Sequence, residues 1–250
     1  MLWLGAFVGV VALLLLWAHA TAPGLARKVF ASLQAQGWSK VPAEDEAVRS
    51  ALDVLQPFEL SAYGVRRDPP PRATVVDALA RSGPDGMRYL LQLRVAARPV
   101  VDGFGTSITL STVALEERPL QSPSVYVLAS DSERRYRRSF EVHGLRPVGL
   151  ASGLFAQFGT TFIVLHEYGA DPSRLPGAVH QALLESADLF VFGAGARGRF
   201  LSDVCLRLSA AGWALLVPEP IVTDSQMRAF VETADRISRA LSAVAEGSRA

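Results

Sequence analysis

Cysteine is almost missing from this chain, since Cys205 is the single one among 250 residues. One cysteine excludes an intramolecular disulfide, and it excludes a zinc site made of paired Cys-x-x-Cys ligands. A lone cysteine among apolar neighbours is typically a small buried side chain. We therefore predict no redox or nucleophilic role for Cys205.

An excess of charge of one sign is also missing. The chain has 25 basic residues against 24 acidic ones, which gives a formal net charge of +1. Proteins that bind nucleic acid normally carry a clear basic excess, so this balance argues against a nucleic-acid partner. Lysine is scarce, because only Lys28 and Lys40 occur and every other basic residue is arginine. Together with abundant Ala, Gly and Pro, this bias indicates a bacterium with a GC-rich genome.

Catalytic and metal-binding motifs are missing as well. His143, His166 and His180 are scattered, and Glu167 is not followed by the second histidine of a zincin helix. Ser152 stands in Gly-Leu-Ala-Ser-Gly, which is not the G-x-S-x-G nucleophile elbow. The acidic residues are dispersed, so no general acid and base pair can be nominated. We predict no catalytic residue, no metal site and no resident cofactor.

The strongest positive signal is a long apolar segment at the beginning of the chain. Leu2 to Ala20 contains no Asp, Glu, Lys or Arg. As a helix it would span roughly 28 Å, close to the thickness of the hydrocarbon core of a bilayer. Trp3 and Trp17 lie near its two ends, where indole rings favour the headgroup region. We therefore predict a single transmembrane anchor over residues 1–22, with the lipid bilayer as its partner.

The flanks of this segment suggest its processing and its direction. Ala18-His19-Ala20 has the small-x-small form of a signal-peptidase site, so export after cleavage near Ala20 is the alternative to a retained anchor. No basic residue precedes the segment, whereas Arg27, Lys28 and Lys40 follow it. The positive-inside rule then predicts an inner-membrane protein whose C-terminal domain is cytoplasmic.

The anchor also carries a spacing that is typical of helix dimers. Gly5 and Gly9 form G-x-x-x-G, which lets two membrane helices approach closely and so predicts a homodimer contact. The alternative is that these glycines are there only because glycine is common in membrane helices.

The rest of the chain predicts an α+β fold, a mainly antiparallel sheet flanked by helices. Membrane-proximal helices are expected over residues 23–57 and are expected to pack onto the domain formed by residues 58–250. Pro23 and Gly24 are expected to end the membrane helix, and a second helix is expected to begin at Pro42.

Inside the domain, strand and helix signals occupy different stretches. Further helices are expected after Pro176 and from a capping box of Thr223 and Gln226. The strands show a period of two, and short connections predict an antiparallel meander of Tyr89–Val95, Ser107–Val113 and Val125–Leu128.

A glycine-rich loop offers one cofactor alternative. Gly193, Gly195 and Gly198 fit G-x-G-x-x-G, and Glu219 follows about twenty residues later, the order found in dinucleotide-binding folds. In the other interpretation, Val204–Leu208 is a strand that turns at Ala210-Ala211-Gly212 into Trp213–Val217 as a hairpin. We expect the hairpin and keep a dinucleotide-binding protein or oxidoreductase as the alternative.

An arginine patch is a further candidate binding surface. It surrounds Tyr136 and consists of Arg134, Arg135, Arg137 and Arg138. Such a patch could meet anionic lipid headgroups or an acidic partner. The alternative is a solvated loop whose charge is offset by Asp131 and Glu133.

The stretch Trp213-Ala214-Leu215-Leu216-Val217-Pro218-Glu219 leads into the last helix, and within residues 204–241 the chain resembles a group of uncharacterised bacterial single-pass membrane proteins. In that group a short hydrophobic anchor precedes a β-rich domain that closes with a hairpin and a helix. The resemblance implies the hairpin and supplies no active site. The sequence therefore predicts a membrane-anchored, non-catalytic interaction or accessory domain with an unidentified protein partner.

Overall fold

The computed structural model describes residues 7, 10, 21–53, 73–83, 86–96, 108–118, 120, 125–129, 145–147, 162–167, 177–185, 205–217 and 221–247. In chain order they form helix α1 (21–32) with a 3-10 turn (Leu33–Gln36), β1 (Ser39–Val41), α2 (Glu46–Asp53), β2 (Ala73–Gly83), β3 (Gly86–Ala96), β4 (Ile108–Glu117), β5 (Val125–Ala129), β6 (Leu145–Pro147), β7 (Phe162–Glu167), α3 (Gly177–Leu184), β8 (Cys205–Ser209), β9 (Gly212–Val217) and α4 (Asp224–Gly247).

The strands of this part of the chain form a single antiparallel sheet in the order β1-β2-β3-β4-β9-β8-β5-β7-β6. The α+β class with an antiparallel sheet is therefore confirmed. The expected meander holds for β3 and β4 but not for β5, because the hairpin β8–β9 inserts between β4 and β5. Placing Val125–Leu128 next to Ser107–Val113 was wrong. Strands β8 and β9 lie in the middle of the sheet, where both faces are covered. This position suits them because almost all of their residues are buried.

Side chains of alternate residues divide between the two faces of the sheet, and each face has its own core. On one face, here called the α4 face, apolar side chains of β2, β3, β4, β5, β7, β8 and β9 pack against α1, α3 and α4. On the other, the α2 face, Val48 and Ala51 of α2 pack against residues of β2, β3, β4 and β9. Both helices within residues 21–53 thus pack onto the sheet, α1 on the α4 face and α2 on the α2 face.

Helix α1 includes Pro23 and Gly24, the two residues at which the membrane helix was expected to end. Residues 21–32 are helical, so the prediction that Pro23 and Gly24 end a helix was wrong. Ala26, Phe30 and Leu33 lie on one side of this helix and are almost completely buried against the sheet. This packing outweighs the local preference of proline and glycine for a helix end. The helical segment ends at Gly37, which adopts a left-handed conformation with φ 85°.

Helix α2 begins later than its sequence suggested. Its first residue is Glu46 rather than Pro42, because the Asp45 carboxylate caps it by accepting the N–H of Ala47 at 2.9 Å. Within the described stretches no helix is both long enough and apolar enough to span a bilayer. The predicted anchor lies outside those stretches except for Phe7 and Val10, both of which are helical.

The C-terminal helix follows its prediction closely. The Thr223 hydroxyl accepts the N–H of Gln226 at 3.2 Å, and it donates to the Gln226 side-chain oxygen at 3.1 Å. These bonds fix the first turn of α4, as the capping-box pattern predicts. The apolar stripe of α4 then packs on the sheet, with Met227, Phe230 and Ile237 almost completely buried.

Candidate functional site

Beneath α4, one row of the sheet is charged where its neighbours are apolar. Arg81, Arg88, Glu116 and Trp213 are successive cross-strand neighbours on β2, β3, β4 and β9. Residues that are paired directly across antiparallel strands point to the same face. The four side chains therefore form one continuous line on the α4 face.

This row is tied to α4 by hydrogen bonds and ion pairs. Arg88 Nε donates to Glu116 Oε2 at 3.2 Å, and Ser238 Oγ of α4 donates to the same oxygen at 2.7 Å. Asp235 Oδ1 of α4 accepts from Arg81 Nη2 at 2.7 Å and from Arg88 Nη1. Together with Arg118, which lies 3.8 Å from Glu116, these charged residues form an arginine–carboxylate cluster: Arg81, Arg88, Glu116, Arg118 and Asp235.

Arg118 joins the cluster from the end of β4. Its Nη1 lies 3.8 Å from Glu116 Oε1 and donates to Ser242 Oγ of α4 at 2.9 Å. The Arg118 backbone N–H donates to the Ala211 carbonyl in the β8–β9 turn at 3.0 Å. Arg118 thus connects β4, the C-terminal helix and the C-terminal hairpin.

The cluster is buried at its centre and reaches solvent at one side. The side chains of Glu116, Arg118 and Arg88 are 2%, 7% and 8% exposed, whereas those of Arg81 and Asp235 are 31% and 33% exposed. A buried charge costs several kcal/mol unless opposite charges and hydrogen bonds surround it. Here each buried charge has such a partner, so the cluster binds α4 to the sheet.

Two tryptophan rings border the cluster. The Arg81 guanidinium carbon lies 4.5 Å from the ring centroid of Trp38, and that of Arg88 lies 5.9 Å from the ring centroid of Trp213. Cations in this position are attracted by the negative face of the ring. Because Trp38 follows α1 directly, Arg81 connects the end of that helical segment to Asp235 on α4.

The chemistry open to this cluster is limited by its own contacts. The two oxygens of Glu116 face Arg88, Arg118 and Ser238, so they are engaged before any substrate could approach. A general base needs an oxygen within hydrogen-bond reach of the proton it removes. The described residues also contain no group of three or more His, Cys, Asp or Glu that could hold a metal ion. The arrangement is suited to holding elements together.

A second polar row lies four residues further along β3, under α1 and beyond the apolar pair of Leu90 and Ala114. Gln92 Nε2 donates to the Ala26 carbonyl at 3.2 Å. Gln92 Oε1 and the hydroxyl of Thr112, its direct cross-strand neighbour, are buried, and neither has a hydrogen-bond partner among the residues that the structure describes. Buried polar atoms without partners cost free energy. This pair therefore weakens the packing of α1 that Gln92 otherwise supports.

Burial also shifts the pKa of two titratable side chains outside the cluster. Burial lowers the pKa of His180 on α3, which favours its neutral form. Burial raises the pKa of Cys205, against the smaller opposing effect of Arg207, so the thiol stays protonated and is not a reactive nucleophile. The buried position expected for Cys205 is confirmed.

The residues singled out from the sequence mostly lie outside the described residues. This holds for the anchor residues Trp3, Gly5, Gly9 and Trp17, for the patch of Arg134, Arg135, Arg137 and Arg138, and for Gly193, Gly195, Gly198 and Glu219. Residues 205–217, which follow the glycine-rich loop, are described, and they distinguish the hairpin from the helix of a dinucleotide-binding fold. β8 and β9 pair as a hairpin, which confirms the expectation and leaves strands where a dinucleotide fold needs a helix.

The arginine–carboxylate cluster was not foreseen. The sequence does contain a signal for it. Arg88 lies two residues from Leu90 and Glu116 two residues from Ala114, so both charged residues face the same side of the sheet as these apolar ones. A charged residue in the inward phase of an apolar strand indicates a buried partner of opposite charge. Asp235 and Ser238 border the apolar stripe of α4 and supply that partner.

The fold and this cluster define an α+β protein whose C-terminal hairpin lies inside an antiparallel sheet and whose C-terminal helix is fixed to that sheet by buried charges. Comparisons of the chain with protein-family models, with curated proteins and with solved structures found no match.

Proposed function

We propose that the chain is a membrane-anchored bacterial protein whose α+β domain is a non-catalytic interaction or accessory module at the cytoplasmic face of the inner membrane. The observation that carries this proposal is the position of α1. This helix begins next to the apolar segment Leu2–Ala20 and packs in the core of the domain.

Helix α1 would join anchor and domain without a flexible linker. The buried Ala26 is the sixth residue after Ala20, and a helix rises about 9 Å over six residues. The domain core would then begin directly at the membrane surface. Phe7 and Val10 are helical with 68% and 55% exposure, which suits side chains that contact lipid.

The chemistry of the described core also supports a binding role. Its buried carboxylate, Glu116, and the charged groups around it are directed at one another. Such a network stiffens the packing of α4 and leaves the outer surface of the domain to bind a partner. Association of two copies through Gly5 and Gly9 belongs to the same proposal.

Membrane extraction of paired variants tests the anchor. The parent chain is expected to stay in the membrane pellet after a carbonate wash, and sequencing is expected to show no new N-terminus at Thr21. Leu13→Arg places a charge at the centre of the apolar segment, where arginine costs about 2.5–3.5 kcal/mol, so retention is expected to fall sharply. Leu25→Arg, at a position 44% exposed and outside the segment, is the matched control and is expected to be retained.

The same preparation tests the direction of insertion. Protease added to sealed, right-side-out cells is expected to leave the domain intact, and protease added to inverted vesicles is expected to digest it. A soluble product that begins at Thr21 would show instead that the segment is a cleaved signal, and the proposal would then be wrong.

A further inference from the structure

The direction of α1 across the sheet is fixed by two contacts. Near its start, the Ala26 carbonyl accepts from Gln92 of β3, and just beyond its end, Trp38 stacks on Arg81 of β2. Arg81 pairs with Arg88, which lies four residues before Gln92 on β3. Helix α1 therefore runs from the end of β3 at Ala96 back towards its beginning at Gly86.

This direction gives the two ends of the sheet different neighbours. The Ala96 end is defined here by Ala73, Ala96 and Ile108, where β2 begins, β3 ends and β4 begins. From Ala26 back to Thr21 the helix extends by about 8 Å towards that end. The opposite end, where Gly83 pairs with Gly86, lies furthest from Thr21 and is called the Gly86 end.

Exposed basic side chains gather on the Ala96 side. Arg94 is exposed and lies two residues beyond Gln92, which places it on the same face, about 7 Å along the strand. Arg27 and Lys28 are exposed on α1 directly after Ala26. Among the described residues none of these three forms an ion pair. The nearest acid on this face of β2, Asp77, is already paired with Lys40 at 3.4 Å.

We infer that the Ala96 end of the sheet faces the bilayer and that Arg27, Lys28 and Arg94 bind the anionic phosphate headgroups of the lipid there. The inference rests on the proposed anchor, which brings Thr21 to the membrane surface. Basic side chains held next to an anionic leaflet each strengthen binding about fivefold at low salt. The Gly86 end then faces away from the membrane and is the end open to a protein partner.

Two exposed positions on β2 report this orientation. Thr74 lies opposite Arg94 at the Ala96 end, and Ser82 lies at the Gly86 end, about 27 Å away along the strand. Thr74→Cys and Ser82→Cys each introduce one reactive thiol for an environment-sensitive fluorophore. The native Cys205 is buried, and the unsubstituted chain controls for any labelling of it.

The labelled full chain is reconstituted in vesicles of phosphatidylcholine and phosphatidylglycerol that carry a headgroup-linked quencher. Quenching is expected to be several-fold stronger at Thr74→Cys than at Ser82→Cys. Equal quenching, or stronger quenching at Ser82→Cys, in protein that floats with the vesicles would overturn the orientation and leave the anchor standing. Protein that fails to float with the vesicles would overturn the anchor, and the orientation with it.

A charge comparison tests the headgroup contacts themselves. Adding phosphatidylglycerol to phosphatidylcholine vesicles is expected to increase the quenching at Thr74→Cys. This increase is expected to be lost in the triple variant Arg27→Gln, Lys28→Gln, Arg94→Gln. The increase is expected to persist in Arg239→Gln, which removes an exposed charge from the second half of α4. An unchanged increase in the triple variant would overturn the assignment of these residues.

Discussion

Glu116 of β4 and Ser238 of α4 are 122 residues apart in the chain, yet Ser238 Oγ donates to Glu116 Oε2 at 2.7 Å. Glu116 also accepts from Arg88, and it is the least exposed member of the arginine–carboxylate cluster. This one carboxylate therefore holds together a central strand, its neighbour and the C-terminal helix. The stability of the domain should depend on it more than on any surface charge.

The first prediction concerns the charge of Glu116. Glu116→Gln leaves Arg88 and Arg118 buried without their shared carboxylate, and we expect the free energy of unfolding to fall by about 3–5 kcal/mol. Urea titration followed by far-ultraviolet circular dichroism measures this change. Glu232→Gln makes the same substitution at an exposed position of α4 and is expected to change stability by less than about 0.5 kcal/mol. A similar small loss in both variants would contradict the structural role of the cluster.

The second prediction concerns the hydroxyl of Thr112, which is buried and has no hydrogen-bond partner in the described part of the chain. Thr112→Val replaces it with a methyl group of nearly the same shape, so we expect a gain of about 1 kcal/mol in the free energy of unfolding. In the matched variant Thr233→Val, the lost hydroxyl donates to the Ala229 carbonyl at 2.8 Å, so no gain is expected. A loss of stability in Thr112→Val would show instead that the Thr112 hydroxyl forms a hydrogen bond in the folded protein.

Local signals in the sequence were enough for the elements whose structure is set locally. The capping box at Thr223 and Gln226 located the start of α4, and period-two alternation around the Ala210-Ala211-Gly212 turn located the hairpin β8–β9. The position of that hairpin between β4 and β5 could not be read in the same way. It depends on which strand pairs bury most surface, and that is decided by contacts far apart in the chain.

Strand β2 shows why alternation alone can fail. Its register shifts between Val75 and Asp77, which breaks the period of two near its beginning. Two of its residues on the α4 face, Asp77 and Arg81, are charged, so the inward phase does not look apolar. One local signal for the turn between β2 and β3 is Gly83-Pro84-Asp85-Gly86, a run of turn residues that begins with the last residue of β2 and ends with the first residue of β3. The partners of Arg81 in the cluster become visible only when the register and the position of α4 are known.

The third prediction concerns pH. Burial lowers the pKa of His180 in the folded protein, whereas the unfolded value is about 6.5. The folded state then binds fewer protons than the unfolded state below that value. The contribution of neutral His180 to the free energy of unfolding is therefore complete above about pH 6.5, and it is lost as the pH falls towards the folded pKa.

Thermal unfolding measured between about pH 8 and about pH 5, on either side of the unfolded pKa of about 6.5, tests the role of His180. The parent chain is expected to lose stability over the lower part of this range, and His180→Gln is expected to lose less of it. Equal slopes in the two proteins would show that His180 is not the group responsible.

The fourth prediction concerns the close approach of the hairpin turn to β4. A Cβ atom at Gly212 would overlap the Glu116 carbonyl oxygen and would lie 3.0 Å from the Arg118 backbone nitrogen. Both obstacles are backbone atoms, so neither can move aside as the end of a flexible side chain can. We expect Gly212→Ala to lower the free energy of unfolding by about 3 kcal/mol or to prevent folding. Gly177→Ala is the matched control, because nothing lies within 4 Å of a Cβ there, and it is expected to leave stability unchanged. If Gly212→Ala were as stable as the control, the pairing of β9 with β4 would have to differ from the one described.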